Sequence, residues 1–63
     1  MSYEIKNMRE KKRLTQDELA QRSGISRATI SALENNSTAI TTTETLKKIA
    51  RALEVNVSDI FLD

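Results

Sequence analysis

Histidine, cysteine, tryptophan and proline are all missing from this 63-residue sequence, and glycine occurs once. Without cysteine there is no disulfide, and without cysteine or histidine there is no set of ligands for a structural zinc. The same two absences remove the imidazole base and the thiol nucleophile, so no enzymatic activity is expected. Asp17 and Glu18 are sequence neighbours on a helix and point in different directions, which makes them no catalytic dyad. A single glycine cannot build a loop that cradles phosphates. The two aromatic residues, Tyr3 and Phe61, are too few for a base-stacking platform, which argues against single-stranded or RNA substrates. Apolar residues never run beyond three in a row, so neither a membrane span nor a signal peptide is expected. A cytoplasmic protein with no cofactor, no metal and no small-molecule ligand is the resulting expectation.

What remains is a short, charged chain, read as one domain over residues 1–63. A chain of this size buries only about 60 % of the surface its unfolded form exposes. Helix packing, aided by a partner subunit if there is one, must supply all of its stability. The net charge is only +1. Its distribution is more informative: residues 1–31 carry seven basic and four acidic side chains, and residues 32–63 carry three and five. A basic front half suits a phosphate backbone, although a solvated surface explains so modest an asymmetry nearly as well.

The front half also holds the most organised stretch, Gln16 to Asn35. Leu19 and Ala20 beside Asp17, Glu18 and Arg22 predict a short amphipathic helix, capped by Thr15 and started by acids that suit the helix dipole. Gly24 ends it, in the left-handed conformation that a side chain makes costly. Ser26 caps a second helix, over about 26–34, which buries Ile30 and Leu33. Two short helices joined by a glycine turn make a helix-turn-helix. Gln16, Ala20, Gly24 and Ile30 follow at spacings of four, four and six. Ala20 is small where the helices cross, Gly24 turns the chain, and Ile30 plugs the crossing.

With Thr15-Gln16 ahead and Leu33-Glu34-Asn35 behind, these residues resemble the lambda-repressor-like (Cro/CI-type, XRE) family of DNA-binding domains, from about Ile5 to Phe61. The resemblance implies an all-α, five-helix domain that binds double-stranded DNA as a transcription regulator, commonly a repressor. It also implies that Gln16 meets a phosphate and that Asn35 either contacts the backbone or simply caps its helix. It pairs Arg9 with Glu34, tying the first helix to the end of the recognition helix. The chain departs from the family where Asn36 and Glu54 stand in place of common glycines, and where the loop after Asn35 lacks both proline and a basic residue. Asn36 tolerates the left-handed conformation. Glu54 leaves its helix without an expected left-handed cap.

The second helix of such a motif lies in the major groove with its N-terminal residues at the base edges. Arg27 carries the bidentate fork that guanine favours, and Ala28, Thr29 and Ala32 offer methyl groups to the bases. Thr15, Gln16, Ser26, Ser31, Asn35 and Thr38 are the candidate backbone contacts.

Around the motif, residues 4–13 predict a first helix with Ile5 and Met8 inward. Lys11, Lys12 and Arg13 serve its C-terminal dipole more simply than they serve a phosphate. Leu14 should be buried. Residues 36–42 predict a loop in which Ile40 plugs the core. Leu46, Ile49, Ala50 and Leu53 form one apolar stripe on a fourth helix capped by Thr42. Ser58 is expected to cap a last helical turn over residues 59–62. Phe61 and Leu62 are the candidate dimer surface, because two large apolar side chains at a terminus are hard to bury together. The rival reading is a protein-interaction module of this fold, antitoxin-like or an anti-repressor partner, that does not read DNA.

Overall fold

Alternation of short apolar stripes with capping residues organises the chain into five helices, seen in a computed structural model that describes residues 2–35 and 41–62, with only the backbone of Ser2 and Leu62. They are α1 (Ile5–Lys11), α2 (Gln16–Ser23), α3 (Arg27–Asn35), α4 (Thr43–Leu53) and α5 (Val57–Ile60). The expected all-α domain is what forms. Asn36, the candidate contact Thr38 and the core plug Ile40 lie outside the described residues.

The ends of the chain add a feature that the sequence does not announce. Ser2–Tyr3 (β1) and Phe61–Leu62 (β2) pair antiparallel, with Tyr3 opposite Phe61. The two rings sit 5.6 Å apart in a tilted arrangement. Beside the ladder, the Glu4 N–H donates to the Ile60 carbonyl at 2.8 Å.

Helix starts follow their capping chemistry. The Thr15 hydroxyl accepts the Glu18 N–H at 3.1 Å, and the Glu18 carboxylate accepts the Thr15 N–H at 2.9 Å, a reciprocal capping box. Ser26 accepts from the Thr29 N–H at 3.2 Å, and Thr42 from the Thr45 N–H at 3.1 Å. The last helix departs from expectation. It starts two residues earlier, with Asn56 as its cap and Ser58 inside it, because the Asp59 carboxylate reaches back to the Asn56 N–H at 2.9 Å. Residues 61 and 62 are consequently extended instead of helical.

Helix ends show three left-handed residues. Gly24 (φ 74°) closes α2 as expected, its N–H bonded to the Ala20 carbonyl at 2.9 Å. The other two are not glycines: Arg13 (φ 58°) and Glu54 (φ 59°). Each sits in a Schellman motif. Leu14 N–H reaches the Arg9 carbonyl and Val55 N–H the Ala50 carbonyl, five residues back in both cases. The helix predicted over 4–13 therefore stops at Lys11, and α4 does end in a left-handed cap. In both places the next residue is apolar and packs inward, so burial of Leu14 and Val55 holds the preceding residue in a conformation it disfavours.

The core runs between the two halves. Ile5, Leu19, Ile30, Ile49 and Ile60, from five different helices, are fully buried. Each such side chain contributes about 1.5–3 kcal/mol on leaving water. α2 packs on both α3 and α4, and α1 touches α3, so the motif rests on the stripe of α4 and on α1.

Candidate nucleic-acid interface

The turn between α2 and α3 sets the angle of the exposed helix. Gly24 provides its left-handed step, and the buried Ser23 hydroxyl accepts the Ile25 N–H at 3.2 Å. Half-buried Ile25 then anchors the turn against the core. α3 is buried along Ile30 and Leu33, which leaves Arg27, Ala28 and Ala32 exposed along one outward row. Thr29 and Ser31 are half-buried at the margins of that row.

A polar chain fastens this helix at both ends. At the C-terminal end the structure brings Arg9 and Glu34 together. Arg9 Nε donates to Glu34 Oε2 at 2.7 Å and Nη2 to Oε1 at 3.1 Å, a bidentate pair. The side chains are 12 % and 1 % exposed. Arg9 Nη1 also donates to the Leu14 carbonyl at 2.6 Å, so one guanidinium ties α1, the turn after it and α3. The hydrogen bond to Glu34 drives the Arg9 pKa further above its already high ordinary value.

Gln16 links that clamp to the other end of α3. Its Nε2 donates to Glu34 Oε1 at 3.0 Å, and its Oε1 accepts from Arg27 Nε at 3.4 Å. Arg27 Nε also lies 3.5 Å from Asp17 Oδ1, in a pair whose side chains are 64 % and 74 % exposed. An arginine–carboxylate pair thus occurs at each end of α3, hydrogen-bonded and dry at one, ionic and wet at the other.

The remaining candidates fall into place around this frame. Thr15 is engaged as the cap of α2, and Ser26 caps α3 while donating to Thr29 Oγ1 at 2.9 Å. Asn35 Nδ2 donates to Ser31 Oγ at 3.1 Å, within the helix. Phe61 is half-buried against Tyr3, and the side chain of Leu62 lies outside what is described. Two participants were not anticipated. Ser23 carried no signal beyond its place before the glycine. Asp17 signals only a helix-starting acid, and a spacing of ten residues across a turn gives no periodicity that would join it to Arg27.

Among the described residues no helix is long and apolar enough to cross a membrane. A family model described as helix-turn-helix matches residues 5–60, from the first buried residue of α1 to the last of α5. No curated protein matches the chain.

Proposed function

The chain belongs to the lambda-repressor-like helix-turn-helix family of DNA-binding domains, and from that membership we propose that α3 reads the major groove of a specific duplex sequence to regulate transcription. The observation that carries this reading is the exposure of Arg27, Ala28 and Ala32 on a helix whose opposite side is buried through Ile30 and Leu33 and whose C-terminal end is clamped through Glu34. A reading helix must expose small side chains and one donor fork while holding its own axis still. α3 combines both.

In this reading Arg27 pairs with a guanine edge, and Ala28, Thr29 and Ala32 meet thymine methyl groups. Thr15, Gln16, Ser26, Ser31 and Asn35 are the proposed backbone contacts, with Thr38, outside the described residues, a further candidate. Gln16 retains one amide hydrogen for a phosphate after bonding Glu34.

Arg27→Ala should weaken binding to the preferred site by about 1–3 kcal/mol per half-site and flatten discrimination at one base pair. Sequences selected from random duplex DNA supply the site, and its single-base variants supply the profile. A uniform loss on every duplex would reassign Arg27 to the backbone. A parent protein that is not retained on heparin or duplex DNA at low salt would favour the interaction-module reading instead.

One recognition helix makes few base contacts, so we place two copies on a pseudo-palindromic site with half-sites about 34 Å apart. Phe61 and Leu62 are the proposed contact. Phe61→Ser should weaken self-association and DNA binding together. Ultracentrifugation beside circular dichroism separates loss of the dimer from loss of the fold, and a folded variant that dimerises like the parent rules this surface out.

A further inference from the structure

Arg27 is the only basic residue of α3, yet in the DNA-free protein it is already held. Both of its contacts, to Gln16 Oε1 at 3.4 Å and to Asp17 Oδ1 at 3.5 Å, are made through Nε. We infer that Asp17 is a specificity-determining positioning residue: with Gln16 it grips Arg27 by the Nε edge and presents the Nη1–Nη2 end of the fork to one base. The inference rests on the proposed reading of α3 as a base-reading helix.

The chemistry of the grip is one-directional. Glu34 is a carboxylate that only accepts, and it is buried, so the Gln16 amide must turn its Nε2 toward Glu34. That leaves Gln16 Oε1 facing Arg27 as an acceptor. Asp17, 74 % exposed beside an Arg27 that is 64 % exposed, adds a carboxylate charge 3.5 Å from the same nitrogen, whose one hydrogen goes to Gln16. A guanidinium has five N–H donors in a rigid plane, and a bidentate pair to guanine uses two. Holding Nε therefore removes no donor that the far end of the fork needs, while it restricts the torsions of a long side chain. An exposed ion pair of this kind adds little to stability, so its consequence is orientation. Asp17 also has an opposite effect. A negative charge at the DNA-facing edge repels every duplex alike and lowers background binding.

These two effects predict a signature that a structural role would not produce. Asp17→Ala should bind all duplexes about three- to ten-fold tighter, since one repulsive charge is gone. At the single base pair identified by Arg27→Ala, and only there, it should lose about three- to ten-fold in discrimination. Asp17→Asn keeps the shape of the side chain but removes the same charge, so it should share both the gain in affinity and the loss of discrimination. Affinities of the three proteins for the selected duplex and its single-base variants, at one salt concentration, decide the matter. Asp17→Ala with the parent's discrimination profile overturns the inference and leaves the reading of DNA intact. Asp17→Asn that keeps the parent's discrimination overturns the ionic grip. A parent protein that binds no duplex, or all duplexes equally, overturns the reading itself and this inference with it.

Discussion

The two ends of α3 each carry an arginine–carboxylate pair, hydrogen-bonded and buried at one end, ionic and exposed at the other. At the C-terminal end Arg9 and Glu34 meet at 2.7 Å with 12 % and 1 % of their side chains exposed. At the N-terminal end Arg27 and Asp17 meet at 3.5 Å with 64 % and 74 % exposed. Water decides the difference. A buried charge that loses its partner has nothing to replace it, whereas an exposed one is simply solvated. One end of the helix is thus fixed in direction, and the other carries a side chain that is held at Nε and leaves its far donors in water, open to an external partner. A side chain that recognises another molecule has to be of the second kind, and the helix that carries it has to be anchored by the first.

The largest test of this contrast breaks the dry end. Arg9→Ala should destabilise the domain by about 3–5 kcal/mol, because it strands a carboxylate with 1 % exposure. Glu34→Ala should destabilise it less, since Arg9 keeps some solvent and its bond to the Leu14 carbonyl. A double-mutant cycle measured by urea unfolding should show strong coupling between the two that persists in 1 M salt. The same cycle on Arg27 and Asp17 should give about 0–0.5 kcal/mol, vanishing in salt. Equal coupling at the two ends would undo the comparison.

A smaller test concerns the capping box at the start of α2, which supports Gln16 and Asp17 from behind. Its Glu18 carboxyl is held below the ordinary value of 4.5, first by the Thr15 N–H and then by the Thr15 hydroxyl. A depressed carboxyl pKa contributes stability above its unfolded value and loses that contribution as pH falls through the folded one. Thr15→Ala removes the hydroxyl side of the box, so the decline in stability below about pH 4.5 should become shallower than in the parent. Urea midpoints from pH 6 to pH 3 measure this, and parallel slopes for the two proteins would show that the box has no acid sensitivity.

Much of this architecture can be read from local chemistry. The stripe of α4, the caps at Thr15, Ser26 and Thr42, and the turn at Gly24 each depend on residues within one or two helical turns. They formed where the pattern placed them. What escaped the sequence depends on partners farther away. Nothing about Arg13 or Glu54 favours a left-handed backbone, and burial of the following residue imposes it. Asp17 and Arg27 meet only because the turn folds α3 back over the start of α2. The start of α5 is a different case, since the signal was present. Asn56 is followed three residues later by Asp59, the spacing of a reciprocal cap, while Ser58 has Phe61 at that position.

The terminal ladder has a kinetic consequence. Tyr3 and Phe61 are separated by almost the whole described chain, so their pairing closes the longest loop in the domain and does so with two residues per strand. Contacts of that kind gain least from forming early, which places the ladder last in folding and first in opening. Because α2, α3 and α4 bury their own side chains against one another, such an opening leaves the motif standing. The amide of Glu4, bonded to the Ile60 carbonyl, would then exchange with solvent hydrogen through this partial opening, well ahead of the amides of Ile30 and Ile49. The domain is in this respect a shared core of five helices closed by a short latch that is expected to open first.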